Sequence, residues 1–489
     1  MRIRFHERDA FLKSLATTDT MREIQSRRCF VTVFADYVHA HRDCFLRELQ
    51  EIVRIPSVST EPAHASDVRR AAEWVRNAFQ KLNVSAEILE TGGHPAVLAE
   101  RNASPSAPTV VIYGHYDVQP AKKDDGWDRD PFSADIEGDK LIARGAADNK
   151  GQFHAHIKGL ETFLNTIGQP PLNIRFLIEG EEEIGSPNLG GLVRKQKERL
   201  RPDAIVISDT SMYQVDTPTI CYGLRGLTTA EITVIGPNRD LHSGTFGGAV
   251  ANPIHALVEI LAGLHDSDGR VTIPGFYDDV KPLEPWERKA WAELPWDDAD
   301  YRENLGIAEL WGERGYTSIE RSWGRPTLEI NGIYGGFTGV GFKTVLPHSA
   351  TAKISLRLVP DQRAKKALDL LENHLKFIYM NGIQINVSRL AGGNPVRFDV
   401  SGPWMDALIR ALKTGFGRQP VLMRDGGSIP IVGLFKEEFD VPVLMAGFAR
   451  PDCGSHGPNE YFSICDYNRA IITSATLLQE LTEVHLGDV

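Results

Sequence analysis

The hydrophobic and polar positions of this chain follow two different patterns, which predict two kinds of domain. Apolar residues recur at helical spacing from about 36 to 53 and again from about 66 to 82. After these two helices, the apolar runs TVVIY, LNIRFLI and AIVIS are separated by helical segments, of which GQFHAHIKGLETFLNTIG is the longest. Buried strands that alternate with helices are typical of a mostly parallel sheet covered on both faces.

The pattern changes after Tyr222. The segments LTTAEITVIG and ATAKISLRLVP alternate with a period of two, which predicts strands with one solvated face. Residues 268–325 are rich in Trp, Pro, Asp and Glu, and we expect an irregular insertion there. The first pattern, buried strands that alternate with helices, returns with VPVLMAGF and a last helix from about 466.

We therefore predict an α/β fold in which a mostly parallel-sheet domain is interrupted by an α+β domain. Its predicted parts are an N-terminal extension (1–35), a first domain formed by 36–222 and 400–489, and an inserted domain at 223–399.

Composition excludes several classes of protein. The 489 residues carry a net charge of -11, whereas a nucleic-acid binder normally has a basic surplus. The five cysteines are scattered and form no CxxC pair, which indicates a reducing compartment and argues against a thiolate zinc site. No apolar run approaches the ~20 residues of a membrane span. We expect a cytoplasmic protein whose partners are neither nucleic acid nor a membrane.

Side chains of the metal-binding type follow the predicted strands. They are His115, Asp117, Glu182, Glu183, Asp209 and His456, and they are joined by Asp148 in a glycine-bounded turn before a helix. Taken alone, each is most often a loop residue or a helix cap. Gathered at one strand edge, however, like-charged carboxylates repel each other, and bound cations relieve that repulsion. Two imidazoles with several carboxylates suit a pair of Zn²⁺ or Mn²⁺ ions.

The run EGEEE, which follows LNIRFLI, leaves two interpretations open. It places Glu179, Glu181, Glu182 and Glu183 within five positions. Charge runs usually face water, so a solvated acidic turn is one interpretation. The other is that some of these glutamates belong to the metal site.

Nine motifs together carry a resemblance to a known family. They are GHYDVQP, RGAADNKGQ, EGEEEIGS, VISDT, DLHSGTFGG, GFKTVLP, KISLRLVPDQ, DGGSIP and GSHGPNE. In this order, from about 36 to 485, they resemble the M20 family of metallopeptidases, and most closely its carnosinase-like dipeptidase branch. The resemblance implies a catalytic domain of the di-zinc exopeptidase type with an inserted lid and dimerisation domain.

The resemblance also implies two divalent ions ~3.5–4 Å apart, Zn²⁺ or Mn²⁺, with Co²⁺ as a further candidate. Asp148 would bridge the two ions. His115 and Asp209 would complete one site, and Glu183 and His456 would complete the other. The peptide bond after the bridging aspartate would be cis.

By the same resemblance, two further residues of this region have catalytic roles. Glu182 would be the general base, which takes a proton from the water that the ions activate and passes it to the leaving amine. Asp117 would hydrogen-bond the His115 imidazole and fix its tautomer. Glu179 and Glu181 receive no such role, and we expect them to be solvated or structural.

The inserted domain would supply groups that bind the substrate. His242 would stabilise the tetrahedral oxyanion and would reach the active site of the other subunit of a homodimer. Arg357 would hold the substrate carboxylate with its guanidinium fork. Thr344, Gly427 and Ser428 would add hydrogen bonds to the substrate.

The resulting hypothesis is a metallo-dipeptidase, a hydrolase that cleaves the amide bond of dipeptides or short peptides next to a free carboxylate. One alternative is an N-acyl amino acid deacylase that uses the same site. A second alternative is a non-catalytic scaffold on the same fold. The full ligand set together with Glu182 argues against the scaffold, because a scaffold needs no general base.

Overall fold

The computed structural model describes residues 30–378, 380–427 and 429–484. Residues 1–29 of the predicted extension and the predicted substrate residue Ser428 lie outside this range. The chain separates into two compact units, with boundaries at 220/221, 398/399, 421/422 and 437/438. Unit 1 contains the described residues up to 220, 399–421 and the described residues from 438 onward, and unit 2 contains 221–398 and the described residues of 422–437. The predicted domain boundaries stay a prediction.

The strands are numbered in chain order. They are β1 (Ser85–Leu89), β2 (Ala96–Arg101), β3 (Thr109–His115), β4 (Asp135–Glu137), β5 (Lys140–Ile142), β6 (Asn173–Glu179), β7 (Ala204–Ile207), β8 (Thr219–Leu224), β9 (Gly226–Ile235), β10 (Leu241–His242), β11 (Thr327–Gly335), β12 (Val345–Leu346), β13 (Ser349–Leu358), β14 (Gln384–Gly393), β15 (Val396–Arg397), β16 (Val421–Asp425), β17 (Val443–Gly447) and β18 (Tyr461–Ser463).

The helices are numbered in the same way. They are α1 (30–53), α2 (Ala65–Lys81), α3 (Gly151–Thr166), α4 (Leu189–Lys195), α5 (Lys197–Leu200), α6 (Ser243–Phe246), α7 (Pro253–Ala262), α8 (Pro285–Ala292), α9 (Asp298–Leu305), α10 (Ser318–Gly324), α11 (Ala364–Lys376), α12 (Pro403–Phe416), α13 (Pro430–Phe439) and α14 (Ile464–Leu481). Short helical turns are Pro62–His64, Lys123–Asp125, Ala146–Lys150 and Glu182–Ile184.

Unit 1 is built on a sheet whose middle strands are parallel. Its strand order is β1-β2-β6-β3-β7-β17, and the first residues of β8 pair antiparallel with β17. The pairs β6–β3, β3–β7 and β7–β17 are parallel, whereas β1–β2 and β2–β6 are antiparallel. Nearly all side chains of β3 and β6 are buried, as expected for parallel strands covered on both faces. Helix α14 packs against α3 and α12, and α2 packs against β1 and β2.

Unit 2 contains an antiparallel sheet of strand order β11-β13-β9-β14. Strand β9 alternates strictly between buried and half-buried positions, as its period of two predicts. The buried positions form a core with α7 and α11, in which Ile232, Leu257, Ile354 and Leu371 are included. The opposite face of β13 carries the half-buried Ser355 and Arg357.

The segment 268–325 is more regular than we expected, because it contains α8, α9 and α10. The polar residues that suggested irregular chain act instead as helix caps. The side chain of Asp297 accepts a hydrogen bond from the amide of Ala299 at the start of α9. Thr317 and Glu320 form a reciprocal capping box at the start of α10. Short capped helices joined by loops lack the longer apolar period that sequence patterns detect.

The predicted fold class is confirmed: the chain is α/β, with a mostly parallel sheet in unit 1 and an antiparallel α+β arrangement in unit 2. Within the described ranges, no helix combines the length and the apolar character that crossing a membrane requires.

Candidate metal centre

The predicted metal ligands of unit 1 lie at the carboxyl ends of its parallel strands. His115 is the last residue of β3, Asp209 follows β7, and His456 stands in the loop between β17 and β18. Glu183 belongs to the short turn after β6, and Asp148 to the turn that leads into α3. Parallel strands end at a common edge, where the loops of an open α/β sheet form binding sites. The topology therefore gathers side chains that are up to about 340 positions apart in the sequence.

The five side chains form two groups that share one carboxylate. In the first group, the Nε2 atom of His115 lies 3.2 Å from Oδ1 of Asp148 and 3.5 Å from Oδ1 of Asp209. In the second, the Nε2 atom of His456 lies 3.1 Å from Oδ2 of Asp148 and 3.2 Å from Oε2 of Glu183. Within each group the candidate ligand atoms all lie within 4.8 Å of one another. Each oxygen of Asp148 thus faces a different imidazole.

This arrangement fits two divalent cations. Among the described residues, Nε2 of His115 is a buried nitrogen that makes no hydrogen bond, although two carboxylate oxygens stand beside it. Such a nitrogen needs a partner that accepts its lone pair, and a metal ion is one. Both groups offer imidazole nitrogen and carboxylate oxygen, the ligands that Zn²⁺ and Mn²⁺ accept.

Charges at the centre are strongly coupled. Burial disfavours the charged form of His115, but the carboxylates of Asp209, Asp117 and Asp148 raise its pKa well above the usual value. Hydrogen bonds to Asp148 and Glu183 raise the pKa of His456 to about 10. Protons on these imidazoles balance part of the carboxylate charge, so a cation must displace them when it binds.

Glu182, the predicted general base, stands next to this cluster. It is half-buried and begins the turn Glu182–Ile184. Burial raises its pKa well above the usual carboxyl value, and the charges of Asp209 and Glu183 act in the same direction. A carboxyl group with a raised pKa takes up a proton more readily than an ordinary one.

Asp117 connects the imidazole of one metal group to the loop that carries the glutamates. Its side chain is fully buried. The two carboxylate oxygens accept hydrogen bonds from the backbone amides of Glu182 (3.2 Å) and Glu183 (3.1 Å). The Nδ1 atom of His115 lies 3.4 Å from the Asp117 carboxylate and 3.1 Å from the Asp117 carbonyl oxygen. A proton on Nδ1 leaves Nε2 as the lone-pair donor that a metal ion requires.

The turn of Asp148 contains the expected cis peptide bond, Asp148–Asn149. The side chain of Asn149 is buried and bridges two strands. Its Nδ2 donates to the Ser208 carbonyl (2.5 Å) and to Oδ1 of Asp209 (2.8 Å), and its Oδ1 accepts from the His115 amide (3.3 Å). Asn149 therefore positions two ligands of the first group. The sequence pattern alone does not indicate this role for Asn149.

Glu460 is a second residue that sequence reasoning missed. It is fully buried, and its carboxylate accepts hydrogen bonds from the backbone amides of Gly145, Ala147 and Asp148 at 2.8–3.0 Å. Arg144 adds an ion pair of 2.7 Å. Glu460 thus holds the turn that carries the shared ligand. Its only signal in the sequence is its place four positions after His456, in GSHGPNE.

The glutamate run that begins at the last residue of β6 divides into two structural and two site residues. Glu179 accepts hydrogen bonds from the hydroxyls of Tyr113 (2.6 Å) and Ser186 (2.8 Å), and burial raises its pKa to about 8. Glu181 accepts hydrogen bonds from the backbone amide of His94 (2.8 Å) and from Asn188. Both side chains are buried, so a solvated acidic turn is excluded for them.

Unit 2 contains the remaining predicted residues. The pairing of β10 with β12 sets His242 opposite Val345, next to Thr344, and both His242 and Thr344 are exposed. The amide of Gly244 donates to Nδ1 of His242 (3.1 Å), so the proton of the neutral ring belongs on Nε2.

Arg357 and Gly427 occupy two further places in unit 2. Arg357 lies on β13, opposite Thr327 of β11 and Leu227 of β9. Gly427 is exposed, and its amide donates to Oδ1 of Asp425 (2.8 Å).

The chain is similar to known peptidases over most of its length. The sequence profile of Peptidase family M20/M25/M40 matches residues 111–480. The Beta-Ala-His dipeptidase of Mus musculus is 34% identical over 469 residues, which cover 92% of this chain and 95% of that protein. The Cys-Gly metallodipeptidase of Schizosaccharomyces pombe is 32% identical over 465 residues, which cover 92% of this chain and 98% of that protein.

Similarity extends to solved structures. The crystal structure of an M20 family metallo-carboxypeptidase from Sulfolobus solfataricus superposes with a TM-score of 0.80 at 33% sequence identity. The match covers 90% of this chain and 99% of that chain.

Proposed function

Because the chain belongs to peptidase family M20/M25/M40, we propose that it is a metal-dependent dipeptidase that hydrolyses the amide bond of dipeptides or short peptides. The observation that carries this proposal is the pair of ligand groups that share Asp148. The names of the Mus musculus and Schizosaccharomyces pombe relatives, both dipeptidases, support the substrate class.

Two divalent ions would be held by His115, Asp148 and Asp209 on one side and by Asp148, Glu183 and His456 on the other. When bound, they would supply Lewis acidity that polarises a carbonyl group and lowers the pKa of water. We assign the metal as Zn²⁺ or Mn²⁺ from the imidazole and carboxylate ligands.

Proton transfer is the role of Glu182. Its carboxylate takes the proton of the attacking water and returns it to the nitrogen of the leaving amine, so one residue serves as base and then as acid. The hydrogen bonds from the amides of Glu182 and Glu183 to Asp117 support this role, because they hold the backbone of the base and of its ligand neighbour in one geometry.

Substrate binding is the role of unit 2, which we propose to act as a lid and dimerisation domain. Arg357 would pair with the substrate carboxylate. His242 would donate from Nε2 to the oxyanion, which the hydrogen bond accepted by its Nδ1 supports. Thr344 and Gly427 would add hydrogen bonds from exposed positions.

We further propose a homodimer in which His242 acts on the substrate of the other subunit. Support comes from the edge strand β11, on which the apolar side chains of Ile330, Ile333 and Tyr334 are exposed. An exposed apolar edge strand readily pairs with another chain. In a mixed dimer, a His242→Ala subunit paired with a Glu182→Gln subunit would regain activity at one site. Activity no higher than that of the two single variants would count against sharing.

A reducing compartment such as the cytoplasm is the proposed location. Cys44, Cys221, Cys453 and Cys465, the cysteines in the described part of the chain, are all free thiols.

Hydrolysis by chelator-stripped protein, with and without added Zn²⁺ or Mn²⁺, tests the proposed function. The panel contains β-Ala-His, Cys-Gly and a set of other dipeptides, together with N-acetylated amino acids. Metal-restored release of free amino acids from dipeptides is the expected result. Release from N-acetylated amino acids alone would favour the deacylase, and no release from any compound by a folded protein would favour the scaffold.

A further inference from the structure

The chain that leaves β3 places every second side chain at the metal centre. His115 ends β3, and a parallel bridge between Val118 and Val58 follows it. Side chains two positions apart on an extended segment point to the same face. His115 and Asp117 already belong to the centre, so the next residue on this face is Gln119.

Gln119 contacts a ligand of the second metal group. Its side chain is half-buried, and its Nε2 donates to Oε2 of Glu183 (2.8 Å) and lies 3.5 Å from the Glu183 carbonyl oxygen. Both neighbours are acceptors, so the amide presents its NH2 group at this point. Within the described part of the chain, Gln119 is the only side chain outside the ligand set that donates to the Glu183 carboxylate.

This hydrogen bond falls on the oxygen that the second group offers to a cation. Oε2 of Glu183 is the same atom that lies 3.2 Å from Nε2 of His456. An ionised carboxylate oxygen accepts at two lone pairs, so the bond from Gln119 leaves one of them for an ion between Glu183 and His456. A neutral donor also fixes the carboxylate without adding a negative charge to a cluster whose carboxylates already repel each other.

The two metal groups differ in how firmly their own ligands are enclosed. In the first group, His115 is fully buried, and Asn149 donates to Asp209. In the second group, the side chain of His456 is 57% exposed. A group that is open to solvent on one side depends more on the hydrogen bonds that orient its remaining ligands.

We infer that Gln119 is a positioning residue of the second metal group, whose amide holds Oε2 of Glu183 toward His456 and so sets the affinity of that group for its cation. Among the described residues, no hydrogen bond joins Gln119 to His115 or Asp209, so the first group keeps its affinity without it. The inference rests on the proposed function and adds to it one residue and one property, an affinity that can be changed at one ion alone.

Gln119→Met tests this inference, because methionine has a similar length and volume but no hydrogen-bond donor. Calorimetric titration of the chelator-stripped wild type with Zn²⁺ should show two ions per chain. In the variant, one ion should bind about 10- to 100-fold more weakly, the range for residues that orient ligands, and the other should bind as before. Gln119→Ser, which shortens the side chain instead, should weaken the same ion.

Two background variants identify the ion that is affected. Asp209→Asn leaves the second group complete, and there Gln119→Met should again weaken the remaining ion. His456→Ala leaves the first group complete, and there Gln119→Met should have no effect on the remaining ion.

Gln50→Met is the matched control. Gln50 is another half-buried glutamine of unit 1, and its Nε2 donates to the Ala134 carbonyl (2.9 Å), away from the metal ligands. This variant should bind both ions as the wild type does. The melting temperatures of the stripped proteins show whether Gln119→Met and Gln50→Met disturb the fold to a similar extent.

Unchanged affinity for both ions in Gln119→Met would overturn the inference. An equal loss at both ions would also overturn it, because that result indicates a general disturbance of the loop, and so would a wild type that binds fewer than two ions. The titration contains no substrate, so it is independent of the reaction. A wild type that binds two ions but hydrolyses no dipeptide would contradict the proposed function, and the titration of Gln119→Met would still decide the role of Gln119.

Discussion

The metal centre of unit 1 and a cavity of 510 Å³ in unit 2, which lies between β11 and β13 on one side and the chain 301–312 on the other, are built in opposite ways. Every ligand of the centre ends or follows a buried strand or precedes a buried helix, and buried polar side chains such as Asn149 and Glu460 hold the connecting loops. The cavity has a regular floor, but its apolar wall is a segment of short helices with exposed side chains. Hydrogen bonds from buried residues fix the metal centre at several points, whereas exposed side chains form the apolar wall of the cavity.

The two kinds of construction predict different responses to substitution. Hydrolysis requires ligand atoms at defined positions, and an error of about 1 Å can cost roughly 100-fold in rate. An apolar wall tolerates adjustment of its side chains, because the hydrophobic effect has no direction. Substitutions in the centre should therefore have large effects on metal binding and rate, whereas those at the exposed wall of the cavity should have small effects on both.

The largest effect is expected for Asp148→Asn. The amide cannot supply the negative charge that both groups share, so both metal sites should weaken by more than about 100-fold, beyond the loss typical of residues behind the ligands. Metal content after gel filtration measures this directly. Asp209→Asn is the comparison, since it should affect one group and leave the other. Equal, partial losses in the two variants would show that Asp148 is not shared.

Glu182→Gln should lower kcat by about 1,000-fold, the order typical of a general base. Metal content should stay unchanged, because Glu182 belongs to neither ligand group. Steady-state kinetics and metal analysis of the same preparation separate the two roles. A variant that retains full activity would remove Glu182 from the mechanism.

Glu460→Gln should weaken metal binding by about 10- to 100-fold, the range for residues that orient ligands. The amide has one acceptor oxygen where the carboxylate has two, so its NH2 group faces N–H donors among Gly145, Ala147 and Asp148, and the ion pair with Arg144 is lost. Calorimetric titration of stripped protein with Zn²⁺ measures the change. Glu480→Gln is the control. Glu480 is another buried glutamate, on α14, and its carboxylate is paired with Arg410.

Unchanged metal affinity in Glu460→Gln, with the same loss of stability as in Glu480→Gln, would show that Glu460 is only a structural residue. The positions of the metal ligands would then not depend on the hydrogen bonds that Glu460 accepts.

The smallest effect concerns Glu179, which is buried at the end of β6 and belongs to neither metal-ligand group. Burial raises the pKa of its carboxyl from 4.5 to about 8. The folded chain then holds this proton more tightly than the unfolded chain, so the stability from this group falls as the pH rises through that window. Gln mimics the neutral carboxyl and should raise the melting temperature above that of the wild type by about 2 °C at pH 8.5.

At pH 5 the two proteins should melt closer together, because the wild-type carboxyl then keeps its proton. Glu309→Gln is the control, because it makes the same substitution at an exposed position. A difference that stays constant between pH 5 and 8.5 would contradict the raised pKa.

Much of the centre could be predicted from sequence because its signals are local. The strand before GHYDV, the glycine-bounded turn of Asp148 and the run EGEEE each combine a periodic pattern with chemistry a few residues away. The order of these motifs was sufficient to identify the family, and with it the α/β class. The helix predicted from about 66 to 82 is confirmed as Ala65–Lys81.

By itself, then, the sequence determined the class of fold, the family and the residue types that could bind metal. The tertiary structure decided which groups share Asp148, that Glu460 holds a turn 312 positions earlier, and that the exposed wall of 301–312 covers the sheet face on which Arg357 lies. The physical reason is range: periodicity and turn chemistry act over a few residues, whereas burial, hydrogen-bond networks and cavities arise only when distant segments pack together.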